Sequence, residues 1–233
     1  MMERNVERTC VSALGRRGFM VGVAAVGLLA LPGCETIQRY SLIDAIRRLL
    51  KISANNAFAR LIEPGGFWDN QLVRLELPDM IGSRGNVLSN ILTSTLFKER
   101  LQREFNKVAE RGARRAAPLV ADAVQVVGID NARAILDGGP MAATAFLRQS
   151  MGNGLIEAMV PELGEALRLS QEPLVAQALA ALTGVDVSAV ARELAIDVDS
   201  AIWDQIGREE AAIRANPRET NDPILIGVLA AGL

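Results

Sequence analysis

Histidine is missing from this chain, and that absence shapes every chemical reading of it. Without imidazole there is no general base of the usual kind, no commonest metal ligand, and no Ser-His or Cys-His nucleophile. What remains is a set of carboxylates, two cysteines, and polar residues embedded in apolar or turn-rich phrases. Asp197, Asp199 and Asp204 fall close together, but the glycine and distal glutamate of a calcium loop are missing at the needed offsets. Gly138-Gly139 and Gly152-Asn153-Gly154 lack the lysine and spacing of a phosphate loop, and no Gly-x-Ser-x-Gly elbow occurs. Glu209-Glu210 offers two carboxylates for acid–base work. On an amphipathic helix, however, adjacent glutamates read first as a solvated face. No catalytic residue, metal or cofactor is implied.

The polar residues that stand out are Asn70, Arg74, Asp122, Thr144, Arg148 and Asp222. Arg148 and Asp122 suggest a buried ion pair that fixes helix packing, an arrangement that is costly unless fully satisfied. The other reading is a ligand cleft between helices, lined by Arg148 and nearby carboxylates. A second group is basic. Arg100, Arg103, Lys107, Arg111 and Arg114 recur at helical spacing beside an apolar face of Phe97, Leu101, Phe105, Val108 and Gly112. Such a stripe suits anionic lipid head groups or another polyanion. It equally suits a solvated face supported by Glu99–Arg103 and Glu110–Arg114 pairs four residues apart.

These residues must be positioned by helices. Alanine and leucine are abundant, only 4% of the 233 residues are aromatic, and β-branched runs are few, all of which favours helix over sheet. Ser41 to Ile62 is amphipathic at helical spacing, with Leu42, Ile46, Leu49, Leu50, Ala57 and Leu61 on one face; Pro64-Gly65-Gly66 stops it. Val73, Leu75 and Leu77 then alternate with Arg74 and Glu76, the two-residue period of an extended segment near residues 72–78. A lone strand has no partner, so an arm lying across helices is expected; pairing with another chain's edge is the sharper alternative. Asn86 to Arg115 holds one long helix or two. Asp130 suggests an N-cap for "NARAIL", and Pro140 suits the first position of the following helix. Leu155, Met159, Leu163 and Leu167 mark a further helix, Pro173 opens another, and Ser188 to about Asn216 gives one or two with Ile202, Ile206 and Ile213 inward. Asp222-Pro223 caps and opens the last. "PLVADAVQVVGID" at 118–130 echoes "PLVAQALAALTGVD" at 173–186, which suggests a helix–turn–helix unit used twice. The expectation is an all-α, single multi-helix domain of seven to ten helices with short loops.

Where the protein works is written before the body begins. Phe19 to Leu31 is an apolar run of 13 residues behind Arg16-Arg17, too short for a bilayer span, which takes about 20. Charged region, apolar region and small-residue end are those of an export signal. Leu31-Pro32-Gly33-Cys34 resembles the lipobox of bacterial lipoproteins, which implies a diacylated Cys34 at the start of the mature chain. Arg16-Arg17-Gly18-Phe19-Met20 resembles the twin-arginine export motif. The domain expectation is therefore an export signal over 1–33, a lipidated tether over 34–40 and a helical domain over 41–233. Two or more acyl chains anchor stably where one does not, so the membrane is the expected partner through Cys34. Glu35 after the cysteine leans toward the outer membrane. The slightly acidic pI of 5.4 argues against nucleic acid as a partner.

Four phrases combine: "GGFWDNQLVRLELP", "AAPLVADAV", "DNARAILDGGPMAATAFLRQSMG" and "TNDPILIGVL". Together they resemble an exported bacterial family known as domain of unknown function 4197, from Ser41 to about Leu229. Gly66-Phe67, Asn70, Val73-Arg74 and Leu77-Pro78 carry one of its patterns. Gly138-Gly139-Pro140-Met141-Ala142-Ala143-Thr144 carries another. The resemblance implies a single all-helical domain and no activity. The functional expectation is a lipid-anchored envelope protein facing the periplasm that binds or scaffolds, with envelope proteins or anionic lipid as partners. The alternative is a small-ligand or lipid carrier, or a histidine-free enzyme, using a helical cleft.

Overall fold

The alanine- and leucine-rich stretches fold as amphipathic helices. The computed structural model of the protein describes residues 33–78, 94–181 and 186–230. Among these residues there are eight α-helices, one 3-10 turn and no β-strand, so the fold is all-α as expected. The helices are α1 (Gly33–Leu61), α2 (Thr95–Val126), α3 (Ala132–Leu136), α4 (Ala142–Met151), α5 (Gly154–Arg168), α6 (Pro173–Ala181), α7 (Val187–Ala215) and α8 (Pro223–Ala230), with the 3-10 turn at Pro217–Thr220. Arg16 and Arg17 lie outside the described residues.

Four long helices make the core, packing in a closed cycle: α1 on α2, α2 on α5, α5 on α7, and α7 back on α1. Their inward faces supply Ile46, Leu49 and Leu50 from α1, Phe105 and Ala109 from α2, Met159 and Leu163 from α5, and Val198, Ile202 and Ile206 from α7, all with negligible exposure. The shorter α3 and α8 lean on α1, and α4 leans on α7. Gly112 lets α2 approach α5 closely, for a Cβ there would meet the Leu163 side chain at 3.0 Å.

Several local expectations are corrected. Thr95 to Val126 is one helix of 32 residues that runs through Pro118, so Pro118 lies inside a helix, whereas its echo Pro173 opens a nine-residue helix of its own. Phe97, placed on the buried stripe, is 41% exposed, and burial on that face begins at Leu101, one turn further into the helix. The cap of α3 is Asn131, whose Oδ1 accepts from the Ala134 amide, rather than Asp130. Pro140 lies outside α4, which begins at Ala142 with Met141 at its N-cap. α1 begins at Gly33, eight residues before the periodicity of its buried face becomes visible.

The segment after α1 is an arm laid on helices. Val73, Leu75 and Leu77 are buried while Glu76 is exposed, so the two-residue alternation is real although no strand among the described residues pairs with it. The arm's hydrogen bonds go to side chains of α2. Leu75 N–H donates to Asn106 Oδ1 at 2.9 Å, and Leu75 C=O accepts from Asn106 Nδ2 at 3.0 Å and from Gln102 Nε2 at 2.8 Å. Two amides one helical turn apart therefore do the work of a neighbouring strand.

Candidate functional site

The adjacent glutamates are the largest correction. Glu209 and Glu210 are both buried, because their positions on α7 continue the inward face rather than the outer one. Glu210 accepts from the Ala143 amide at 3.0 Å, the Thr144 amide at 2.7 Å, Thr144 Oγ1 at 2.6 Å and Arg214 Nε at 2.7 Å. It is a carboxylate cap on the N-terminus of α4, where unpaired amides and the helix dipole favour a negative charge. Arg214 then donates to the carbonyls of Leu136 and Ile135, the end of α3. One pair on α7 thus closes the end of one helix and the start of the next, and Thr144 is placed as part of that closure. Glu209 pairs with Arg60 of α1 at 2.9 Å and accepts from Gln205.

Arg148 is paired as expected, but with Asp199 rather than Asp122. The distance is 3.2 Å, and Asp199 also accepts from the Trp203 indole at 2.9 Å. Burial pushes the Asp199 carboxyl up, against the opposing pull of Trp203 and Arg148. Asp122 is exposed on the outer face of α2. Of the three aspartates near residue 200, Asp199 has its two oxygens engaged in this way. Among the described residues no cluster of three or more metal-ligating side chains occurs.

Asn70 and Arg74 shape the turn that launches the arm. Asn70 C=O accepts from the Val73 and Arg74 amides, and its Oδ1 from Leu72 N–H. Arg74 donates to Trp68 C=O, and its guanidinium lies 4.6 Å from the centre of the Trp68 ring; that of Arg103 lies 4.9 Å away. Gly65, at φ +85°, donates to Glu110 Oε1 at 2.9 Å. Gly66 packs against α1 so closely that a Cβ would sit 2.2 Å from the Arg60 carbonyl. Burial pushes the Glu110 carboxyl up, and the Gly65 hydrogen bond only partly offsets it.

The basic stripe of α2 is engaged by partners within the fold. Besides Arg103 on Trp68, Arg100 pairs with Glu172, Lys107 with Glu104, and Arg111 with Glu162 at 3.7 Å. Arg114 donates to Ile62 C=O. These cations remain well exposed, and each has an intramolecular partner.

A second basic group, which the sequence reading passed over, lines an open cleft. On α1, Asp44, Arg47, Arg48 and Lys51 face Val124 and Gln125 near the end of α2, and Asp222 at the start of α8, around about 530 Å³. Arg48 bridges two elements, with Nε 2.9 Å from Asp44 and Nη1 2.9 Å from Asp222. Asp222 caps α8 through its Oδ1, which accepts from the Ile224 and Leu225 amides. Desolvation works against its charge, but Arg48 and those amides prevail and hold it below the usual carboxylate range. Arg47 reaches the Val127 carbonyl at 3.4 Å, while its Nε is buried and has no hydrogen-bond partner. Of the six polar residues singled out by sequence, Asp222 alone lies here. The available signal was Asp44 and Arg48 four residues apart on a helix that also carries Arg47 and Lys51 one turn on.

Fold and site together define an all-α domain on four long helices, with ion pairs closing its helix ends and a cationic cleft open beside α1. The chain belongs to the family described as Protein of unknown function (DUF4197), whose model matches residues 36–230. Neither a curated protein nor a solved structure matches it.

Proposed function

We propose that this is a lipid-anchored protein of the bacterial cell envelope, facing the periplasm from the outer membrane, that binds or scaffolds rather than catalyses. The observation that carries the reading is the course of α1. The helix spans 29 residues, includes Cys34 near its start and runs into contact with α2, α3, α7 and α8, a length of about 43 Å at the α-helical rise. An acyl group on Cys34 would therefore hold the membrane at one end of a helix whose other end is core, mounting the body rather than trailing it. Among the described residues no helix is long and apolar enough to cross a membrane. Export through the twin-arginine route belongs to the same proposal and rests on Arg16-Arg17.

The engagement of the α2 cations within the fold supports a shift of the binding surface away from the basic stripe. The open cleft beside α1 favours the carrier form of the reading, with a small ligand or lipid held between helices. Membrane fractionation tests the anchor: Cys34→Ala is expected to move the protein from the membrane to the soluble fraction. Retention on the membrane would sink the proposal. Lipids and cross-linked partners recovered with the acylated protein then identify what it holds.

A further inference from the structure

Among the described residues, concave surfaces that hold charged groups outside the helix closures include the cleft beside α1, the hollow between Trp68 and Glu110, and the Arg111–Arg115–Glu162 surface. In the second, Glu110 is already engaged by Gly65 and Arg103 by Trp68. In the third, Arg111 and Arg114 already have partners. The first is different, because Arg47, which lines it, has one long hydrogen bond, from Nη2 to the Val127 carbonyl at 3.4 Å, and a buried Nε without an acceptor among the described residues. A buried donor left unpaired costs roughly 1–3 kcal/mol, so this guanidinium is less satisfied than the cations of the other two.

We infer that the cleft between α1, the end of α2 and the start of α8 binds a phosphodiester anion, with Arg47 and Lys51 as its recognition groups. Charge sets the valence. Arg47, Arg48 and Lys51 face Asp44 and Asp222, and Arg48 is held between the two carboxylates. One positive charge is left over, which a single negative charge neutralises; a phosphodiester carries one, whereas a phosphomonoester approaches two near neutral pH. Donor geometry sets the shape. A planar guanidinium, a mobile ammonium and the Gln125 amide offer donors in several directions, which suits a tetrahedral oxyanion with several acceptor oxygens. Ile52 and Val124 supply an apolar wall beside these groups, and a volume near 530 Å³ lies within the range of small-molecule sites. The ligand is thus a phosphodiester with an apolar portion, from a phospholipid head group or from a free diester.

The inference deepens the binding reading above but needs no anchor. Its test is isothermal titration of the full chain carrying Cys34→Ala, produced without export so that no acyl chain competes. The probes are dihexanoylphosphatidylglycerol, dihexanoylphosphatidylcholine and dimethyl phosphate. Phosphatidylglycerol is expected to bind at one site per chain, more weakly as salt rises. Arg47→Gln and Lys51→Gln are each expected to weaken it about tenfold or more, as the loss of a charge-assisted hydrogen bond dictates. Lys51 is exposed, so Lys51→Gln reports on the site even where Arg47→Gln disturbs folding. Dimethyl phosphate binding as tightly as phosphatidylglycerol assigns a free diester and overturns the apolar portion; lipid-only binding supports the site and assigns a head group with its chains. Phosphatidylcholine carries the same phosphodiester balanced by a quaternary ammonium, so its binding equally well overturns recognition by net charge. The absence of binding by every probe, or an affinity that Lys51→Gln leaves unchanged in a folded protein, overturns the site itself. A failed titration refutes the cleft and leaves the Cys34 anchor standing, while membrane retention of Cys34→Ala does the reverse.

Discussion

Glu210 concentrates four donors on one buried carboxylate, and removing it strands all of them. Glu210→Ala leaves Arg214 without its anion and the first amides of α4 without a cap. Breaking a buried pair on one side typically costs about 3–5 kcal/mol, and that loss is expected in the denaturation midpoint. A loss below about 1 kcal/mol would show that water replaces the cap. Glu110 carries a prediction for pH. Its folded pKa is raised by burial, so its contribution to stability is full below the unfolded value near 4.5 and is lost as pH rises through the folded value. Glu110→Gln has no such titration and should gain stability relative to the native chain as pH rises from about 4.5. Melting temperatures at pH 4 to 8 check this, and a difference independent of pH would contradict it. The buried role of Glu210 was partly legible: Ile206, Glu210 and Ile213 lie at spacings of four and three, so the inward face of α7 passes through it. What the sequence lacks is the location of the α4 amides, 66 or 67 residues away.

Elements differ in how far their own sequence decides them. "PLVA" opens α6 but sits inside α2, and the residues upstream make the difference. Ala116 and Ala117 follow Arg114 and Arg115 in a run of strong helix formers, which carries the helix through Pro118 despite the lost backbone bond. Ser170, by contrast, accepts the Glu172 amide with its own hydroxyl and competes with helix before Pro173. The arm is the other instructive element. Its alternation was visible, while its partners, Gln102 and Asn106, announce themselves only as amides one turn apart on a buried helix face. Asn106→Ala removes the acceptor of Leu75 N–H and one donor to its carbonyl. Each buried group left unpaired costs roughly 1–3 kcal/mol, and Gln102 still holds the carbonyl. The arm is therefore expected to open locally before the helices do. Hydrogen exchange should show the Leu75 amide losing protection while α7 amides keep theirs; equal loss in both would mean the arm is not a separate unit.

At the scale of the molecule, helix content and number follow from periodicity, but the order in which helices touch does not. The closed cycle of α1, α2, α5 and α7 depends on which faces meet, and small residues such as Gly112 decide that through close approach rather than through any local pattern. The consequence is a core with no seam. Here α1 touches both α2 and α7, and α5 bridges the same two helices from the other side of the cycle. Loss of any one long helix therefore exposes apolar faces on two others, and cooperative unfolding is expected. The two tryptophans report on different parts of this arrangement. Trp68 lies in the turn before the arm, against Arg74 and Arg103, and Trp203 is buried on α7 and bonded to Asp199. In Trp68→Phe and Trp203→Phe variants, the remaining indole reports on one region at a time. Fluorescence from each, corrected for any shift in stability, and far-ultraviolet circular dichroism should give a single coincident transition. A Trp68 signal that melts below the helical signal would confine cooperativity to the four helices and leave the arm outside it, and a split within the helical signal itself would refute the single core.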